Sequence, residues 1–183
     1  YKGTQLDVLT EGKWYINPKL FTVSFEKSTE ISKGFVGIVE TKEGKNLEGA
    51  IAGSIIPNHN KFKNANAFVK NGGYMGLQEE ILDEGIYEIN TLFASIKIVP
   101  VCEIDAGTVG VVFSKHGLDP QNEGADDLVD EGYKGIQKKV LREGKYKKNT
   151  DIYEIIIVPV HQITLEWNDD EKKDKGRYDA GLE

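Results

Sequence analysis

The segment Tyr74-Met-Gly-Leu-Gln-Glu-Glu-Ile-Leu-Asp-Glu-Gly-Ile-Tyr-Glu-Ile-Asn90 is the main indication of the architecture, because the chain contains three versions of it. The other copies are Tyr1-Lys-Gly-Thr-Gln-Leu-Asp-Val-Leu-Thr-Glu-Gly-Lys-Trp-Tyr-Ile-Asn17 and Tyr133-Lys-Gly-Ile-Gln-Lys-Lys-Val-Leu-Arg-Glu-Gly-Lys-Tyr-Lys-Lys-Asn149, which align without gaps. Triple identity at one position has a chance of about half a per cent, so the pattern indicates an internal repeat. The identical columns are Gly3/Gly76/Gly135, Gln5/Gln78/Gln137, Leu9/Leu82/Leu141, Glu11/Glu84/Glu143, Gly12/Gly85/Gly144, Asn17/Asn90/Asn149 and, in the continued register, Ile31/Ile104/Ile163.

A second repeated block divides the chain into units. Ile31-Ser-Lys-Gly-Phe-Val-Gly-Ile-Val39 matches Ile104-Asp-Ala-Gly-Thr-Val-Gly-Val-Val112. We therefore predict complete β-repeats at 31–103 and 104–167, with the second half of a truncated repeat at 1–30. Residues 168–183 form a charged tail, which we interpret as a solvated loop. The chain thus holds two and a half small modules in place of one large domain.

Each unit is predicted to be a small antiparallel sheet. Apolar residues alternate at a period of two, which is typical of strands. In the three units the alternating segments include Phe21-Thr-Val-Ser-Phe25, Ile96-Lys-Ile98 and Tyr153-Glu-Ile-Ile-Ile157. The predicted fold class is mostly β, with tandem antiparallel modules and one short helix in an insertion.

The repeated Glu-Gly pair and its neighbours predict the connections between strands. The glycine can supply positive φ for a hairpin turn. The aromatic residue that follows (Trp14, Tyr87 or Tyr146) is expected to open the next strand and pack across the sheet. The repeated asparagine suits an Asx turn that redirects the chain.

An insertion in the second unit predicts the helix. Phe62, Ala65 and Phe68 fall at helical spacing within 61–70. Asn71-Gly-Gly73 then provides a C-terminal stop.

Composition excludes several classes of function. The 183 residues include 23 Lys and Arg against 30 Asp and Glu, a net charge of −7, which argues against a nucleic-acid binder. The single cysteine, Cys102, excludes an internal disulfide framework. The longest apolar run, 155–160, is too short to span a bilayer. The chain begins at Tyr1 inside a patterned segment, so we expect it to be a fragment or a processed product.

No catalytic, cofactor-binding or metal site stands out. The repeated glutamates Glu11, Glu84 and Glu143 each lie beside a turn glycine, whereas a catalytic pair is a local exception in one cleft, so we interpret them as turn residues. The segment Asp119–Asp130 partly matches a calcium loop, with Asp first, Gly sixth and a carboxylate twelfth. Imperfect ligands and the absence of flanking helical patterns favour a solvated acidic loop over calcium binding.

The remaining candidates also receive structural interpretations. Cys102 follows a strand-like run and precedes Glu103, which favours a small buried apolar role over a reactive thiol. The glycine pairs at 34/37 and 107/110 lack the helix-opening loop that phosphate binding needs, so we predict turns or close backbone approaches. The three histidines are too far apart in sequence to suggest a zinc motif, namely His59, His116 and His161.

Several of these segments resemble a known family. The third unit is similar to the opening of an SPFH (band 7) domain, the family of stomatins, prohibitins and flotillins. The second unit resembles the tandem upstream units of bacterial flotillin-like members and, more distantly, the repeats of the major vault protein. The segments that carry the likeness are Gly107-Thr-Val-Gly-Val-Val112, Gly132-Tyr-Lys-Gly-Ile-Gln137, Leu141-Arg-Glu-Gly-Lys-Tyr146, Asn149 and Ile157-Val-Pro159 in the third unit, and His59-Asn-Lys-Phe62, Asn66-Ala-Phe68 and Asn71-Gly-Gly-Tyr-Met-Gly76 in the second.

The resemblance implies a non-catalytic scaffold, without a cofactor, that forms large oligomers. The full-length protein is expected to self-associate and to be cytoplasmic or membrane-associated, with any membrane attachment in segments outside this chain. The chain alone is expected to be monomeric or weakly associating. The alternative is a β-repeat protein that binds a glycan or peptide through Trp14, Tyr87 and Tyr146, and the burial of these rings separates the two hypotheses. An enzyme is the least favoured class.

Overall fold

The structure, a computed structural model, describes residues 3, 5–47, 50–120 and 128–160. It confirms the predicted fold class, because 39% of the described residues are in strands or β-bridges, 4% are in a helix, and the strands form several small antiparallel sheets. The elements in chain order are β1 (Thr29–Ile31), β2 (Phe35–Thr41), α1 (Ala65–Lys70), β3 (Gly76–Leu82), β4 (Gly85–Tyr87), β5 (Ala94–Pro100), β6 (Cys102–Ile104), β7 (Thr108–Ser114), β8 (Gly135–Ile136), β9 (Gly144–Tyr146) and β10 (Tyr153–Pro159).

The strands form two sets with the same topology, which we call the second unit (29–100) and the third unit (102–159). In each set the long second strand is central, giving the orders β3-β2-β5 and β8-β7-β10. The short first strand pairs with the short fourth strand, as β1-β4 and β6-β9. All of these pairings are antiparallel. We call residues 3–28 the first unit.

The Glu-Gly corner differs from the prediction. Gly85 and Gly144 have positive φ, 152° and 148°, as expected, but the predicted hairpin is wrong. β3 pairs with β2 and β4 pairs with β1, so the chain leaves one sheet and enters another between Leu82 and Gly85. The following aromatic ends the short strand instead of opening it. A Cβ at Gly85 would lie 3.5 Å from Tyr87 Cε2, so the ring folds back over the glycine.

The first unit lacks the strand predicted at 21–25. Its described residues form turns and extended segments without ladder hydrogen bonds. A strand persists only when another strand satisfies its N–H and C=O groups, and the described part of the first unit contains no counterpart of β2 or β7. Local contacts of the repeat are nevertheless retained. Trp14 Nε1 donates to the Thr10 carbonyl at 2.9 Å, as Tyr87 Oη does to the Asp83 carbonyl at 3.1 Å.

The helix is shorter than predicted. It begins at Ala65, because the Asn64 side chain caps it by accepting from Ala67 N at 2.9 Å. The residues before it are turns, and Phe62 has a φ of 64°. Gly72, just beyond the Asn71 C-cap, has a φ of 85° and ends the helix as expected.

The core lies mainly in the second unit. The insertion packs against one face of the β3-β2-β5 sheet, where its side chains Phe62 and Phe68 join the buried cluster. The buried cluster consists of Ile31, Val39, Phe62, Ala65, Phe68, Leu82, Tyr87, Phe93 and Ala94.

Gly37 and Gly110 lie at close approaches, although the group that approaches is a side chain and not the backbone that the sequence predicted. A Cβ at Gly37 would lie 2.7 Å from Ile31 Cδ1, and a Cβ at Gly110 would lie 2.5 Å from Ile104 Cδ1. Such distances are too short for real side-chain contacts, so each central strand has glycine where the first strand's isoleucine crosses it.

Candidate functional site

The repeated glutamine closes a loop inside each unit. Its Nε2 donates to the carbonyl two residues earlier, at 3.1 Å for Gln5, 2.8 Å for Gln78 and 3.5 Å for Gln137. In the second and third units it also donates to the carbonyl four residues earlier, at 2.8 and 3.0 Å. Because the side-chain amide forms these hydrogen bonds within the loop, the backbone of the glutamine is held in a fixed position.

The repeated asparagine forms the predicted Asx turn in all three units. Its Oδ1 accepts from the N–H two residues later, at 3.0 Å for Asn17, 2.9 Å for Asn90 and 3.0 Å for Asn149. The backbone carbonyl of each asparagine also accepts from the N–H groups three and four residues later. The turn therefore uses one side of the amide and leaves the Nδ2 donor available.

That donor joins one unit to the unit before it. Asn90 Nδ2 donates to the Gln5 carbonyl at 2.9 Å, across the junction of the first and second units. Asn149 Nδ2 donates to the Gln78 carbonyl at the same distance, across the junction of the second and third units. The same two columns of the repeat thus meet at both junctions. We call this contact the Asn–Gln link.

The local geometry explains why the glutamine carbonyl can accept the link. The pairing of β2 with β3 shifts register between Ile38 and Glu40, opposite Gln78. A register shift takes a backbone group out of the ladder. Asn149 is buried at the second junction and Gln78 is 1% exposed, so each satisfies a buried polar group of the other.

Ion pairs and apolar contacts surround the link. At the second junction Lys147 Nζ lies 2.8 Å from Asp83 Oδ1, and Lys97 Nζ lies 2.7 Å from Asp151 Oδ1. Both pairs are solvent-accessible, so they contribute to orientation more than to stability. At the first junction Leu6 packs against the buried cluster of the second unit.

The pKa of Tyr153 is affected by the second junction. Burial raises the pKa of its hydroxyl, and the negative charges of Glu79 and Glu131 raise it further. Glu79 belongs to the second unit and Tyr153 to the third, so stacking of the units places a carboxylate near the phenol.

A cluster that the sequence did not predict joins the segment before α1 to strand β3 of the second unit. His59 is buried, its Nδ1 accepts from Phe62 N at 2.8 Å, and its Nε2 lies 3.0 Å from Glu80 Oε2. Lys61 Nζ completes the cluster at 2.8 Å from Glu80 Oε1. Because Nδ1 accepts from a backbone N–H, the proton resides on Nε2 and is donated to the carboxylate. The arrangement clamps a tight loop and leaves no solvent-exposed imidazole for catalysis.

A cleft of about 650 Å³ lies between the segment that follows β2 and His116 of the third unit. Lys45, Tyr74 and His116 contribute to its lining. The Nδ1 atom of His116 is buried and has no hydrogen-bond partner among the described residues. The cleft is about half open to solvent.

The structure does not bring the repeated glutamates together. Glu11, Glu84 and Glu143 are all exposed, one at the corner of each unit, which agrees with their interpretation as turn residues. Across 3, 5–47, 50–120 and 128–160, no three His, Cys, Asp or Glu side chains cluster as metal ligands.

Cys102 is half-buried in β6, so it is less enclosed than the sequence predicted. Burial raises the pKa of its thiol, which disfavours the reactive thiolate.

The calcium hypothesis is only partly addressed, because residues 121–127 lie outside the described part of the chain, as do His161 and the tail 168–183. At the ends of that segment, Asp119 and Asp130 form ion pairs with Lys134 and Lys138 at 3.0 and 2.9 Å.

The three aromatic residues of the ligand-binding hypothesis differ in their exposure to solvent. Tyr87 is buried in the core cluster, Tyr146 is half-buried, and Trp14 is exposed. They do not form one shared surface, because each ring lies over the glycine of its own unit.

Comparison with family models, curated proteins and solved structures yields no match to this chain. Within the described residues, no helix has the length and hydropathy needed to cross a membrane.

Proposed function

We propose that this chain is a non-catalytic structural module of an SPFH, flotillin-like protein that assembles into large oligomers. The observation that carries the proposal is the Asn–Gln link, which recurs at 2.9 Å at both junctions between units. A contact made by the same two columns of the repeat at each junction is a stacking device, as in repeat proteins whose units contact only their neighbours. The sequence resemblance to SPFH proteins supplies the family.

The chemistry of the described residues supports a scaffold over an enzyme. The polar groups of the glutamine loop, the Asx turn and the His59 clamp all bind other groups of the chain itself. A catalytic group needs access to a substrate and a partner that activates it. These groups instead use their hydrogen-bonding capacity to hold the backbone.

Light scattering on the full-length protein tests the proposal. We expect a mass many times that of one chain, in a buffer of physiological salt. A stable full-length monomer across a wide range of concentration would refute the scaffold function.

The second candidate is a β-repeat protein that binds a glycan or peptide, and the cleft beside His116 is the observation that favours it. His116, Lys45 and Tyr74 line this cleft and carry polar side-chain groups that could bind a ligand hydroxyl or amide. Isothermal titration with a panel of oligosaccharides and short peptides tests this function. Saturable binding that His116→Phe abolishes is the expected result, and no heat with any ligand would exclude it.

A further inference from the structure

The last long strand of each complete unit lies at an edge of its sheet. β5 and β10 pair on their inner side with β2 and β7 over all seven residues. On the outer side neither strand pairs with any described residue. An edge strand with an unpaired row of N–H and C=O groups is a template for pairing with another strand.

Stacking of the units leaves this edge open. β5 belongs to the second unit, which the Asn–Gln link joins to both of its neighbours. The strand that follows β5 is β6, which pairs with β9 and does not return to β5. Ile98 of β5 is 45% exposed, and Ile157, in the same column of β10, is 51% exposed. The open edge is therefore a property of the repeat, because it is present in a unit that contacts neighbours on both sides.

The hydrogen bonds of β10 show which of its groups point outward. Lys115 N donates to the Ile152 carbonyl at 2.9 Å, just beyond the end of the paired strands. Bonded and non-bonded pairs alternate along an antiparallel ladder. The N–H and C=O groups of Ile155 and Ile157 therefore point away from β7, toward the open edge.

The ends of the strand limit the number of free donors. Tyr153 N donates to the Asn149 carbonyl at 2.8 Å, and Pro159 has no N–H. Ile155 and Ile157 therefore supply the free N–H groups of this edge, and no described residue accepts from either of them.

This open segment is complementary to itself. When two antiparallel copies of β10 pair about a twofold axis beside Ile156, Ile155 of each copy lies opposite Ile157 of the other. Each of the four free N–H groups then meets a carbonyl. The same register sets Glu154 against Val158, so no like charges oppose each other.

Side-chain packing favours the same arrangement. Ile155 and Ile157 lie on the face of the sheet that holds Gly110, since alternate residues share a face and a Cβ at Gly110 would lie 3.0 Å from Ile155 Cγ2. Pairing places Ile157 of each copy beside Ile155 of the other and removes exposed apolar surface from water. β5 is less suited, because Lys97 occupies the column of Ile156 and a lysine on an edge strand opposes pairing.

We propose that a second copy of this chain docks on β10 through the same strand, antiparallel about a twofold axis beside Ile156, so that two three-stranded sheets join into one sheet of six strands. This inference rests on the proposed function and deepens it, because it names the partner and the surface. The partner is a second copy because the open segment is its own complement in hydrogen bonding and in charge. The contact is isologous, so it closes at a dimer.

Sedimentation velocity of the purified chain across a wide range of concentration tests the inference. The wild-type chain should show a reversible equilibrium between monomer and dimer. Ile157→Pro removes an outward N–H and no donor to β7, so it should weaken the dimer about tenfold or more. Ile157→Lys keeps every backbone group and replaces an apolar contact with a charge, so it should weaken the dimer to a similar degree.

The matched controls are Ile98→Pro and Ile98→Lys, which make the same changes at the same position of β5 and should leave the dimer intact. Circular dichroism of all four variants verifies that the sheets are retained. A loss of association that is equal for the variants at 98 and 157 would place the contact elsewhere and overturn the inference.

Amide hydrogen exchange provides a local measurement. Raising the concentration of the wild-type chain should slow exchange at Ile155 and Ile157 and leave Ile96 and Ile98, the outward residues of β5, unchanged. A chain that stays monomeric, association that continues beyond a dimer, or exchange that does not respond to concentration would each contradict the proposed contact. None of these results changes the light-scattering test of the full-length protein, so the scaffold function is decided separately.

Discussion

At the scale of single residues, Gly37 and Gly110 show how closely the two complete units share their packing. Each glycine sits on a central strand against the isoleucine of the first strand, and each would bring a Cβ within 3.0 Å of a second isoleucine, Ile96 or Ile155. Neither has positive φ, so the requirement for glycine is one of space. The rigid interior cannot move enough to admit a methyl group without strain.

We predict that Gly37→Ala lowers the free energy of unfolding by about 1–3 kcal/mol, because overpacking a dense core forces side chains off their preferred rotamers. Ile31→Val removes the Cδ1 atom that the new Cβ would contact at 2.7 Å. The double variant should therefore lose less than the sum of the single losses. Urea unfolding of the four proteins measures the coupling, and strict additivity would contradict the packing explanation.

Tyr153 gives a prediction about alkaline pH. Its pKa is raised in the folded state, by burial first and by the two carboxylates second. As pH rises above about 10, the unfolded chain loses its phenolic proton before the folded chain does. The stabilisation is therefore complete below that pH and is lost as pH rises through the folded pKa.

The measurement is the free energy of unfolding in urea from pH 8.5 upward, for wild type and Tyr153→Phe. Stability should fall less steeply with pH in the variant. The pKa values of Lys61 and Lys147 are also raised, mainly by hydrogen bonds to Glu80 and Asp83 respectively. These lysines also make stability fall as pH rises, and they do so in both proteins. If the free energy of unfolding falls equally steeply with pH in both proteins, the Tyr153 hydroxyl is solvated in the folded state.

At the scale of structural elements, the Asn–Gln link couples whole units. Asn149→Asp keeps the Asx turn and removes the buried donor, leaving the Gln78 carbonyl unsatisfied. We predict a loss of at least about 1–3 kcal/mol, the usual cost of an unsatisfied buried group, because the new carboxylate is also buried beside that carbonyl. The matched control is Asn17→Asp, whose amide has no acceptor among the described residues of one chain. Thermal unfolding at low concentration should show a clear decrease for the first variant and almost none for the second.

The same elements show what a sequence can predict. Alternating apolar residues predicted the strands β5 and β10, and the repeated asparagine predicted its turn, since both signals are local. The corner at Gly85 was predicted as a hairpin because positive φ is common to hairpins and to corners that change sheets. Whether the turn forms a hairpin or a corner depends on which strands pair with each other. The spacing of residues in the sequence does not specify these pairs.

The sequence predicted only part of the Asn–Gln link. Gln78 and Asn149 are polar residues that are identical in every copy of the repeat, which marked them as structurally important. Their partners, however, lie in the neighbouring unit, and no periodicity reveals a contact between units. The strand predicted at 21–25 failed for a related reason, because its pattern is correct but the described part of the first unit offers no central strand to pair with.

At the scale of the whole molecule, stability should be distributed unevenly along the stack. The second unit holds the aromatic cluster of Phe62, Phe68 and Phe93 and is stacked on both sides. The third unit buries fewer large side chains, chiefly Ile104 and Ile152, and only one of its faces is stacked within the described chain. Repeat proteins unfold from units with the fewest neighbour contacts.

We therefore predict that amide hydrogen exchange is faster in β7 than in β2, although the two strands have the same length, position and topology. Asn149→Asp should widen the difference, because it weakens the junction that transmits the stability of the second unit to the third. Native-state exchange at low denaturant, resolved by peptide or by amide, measures both effects. Equal opening free energies in β2 and β7 would show instead that the units unfold as one cooperative body. In that case the Asn–Gln link would be strong enough to make the stack behave as a single domain.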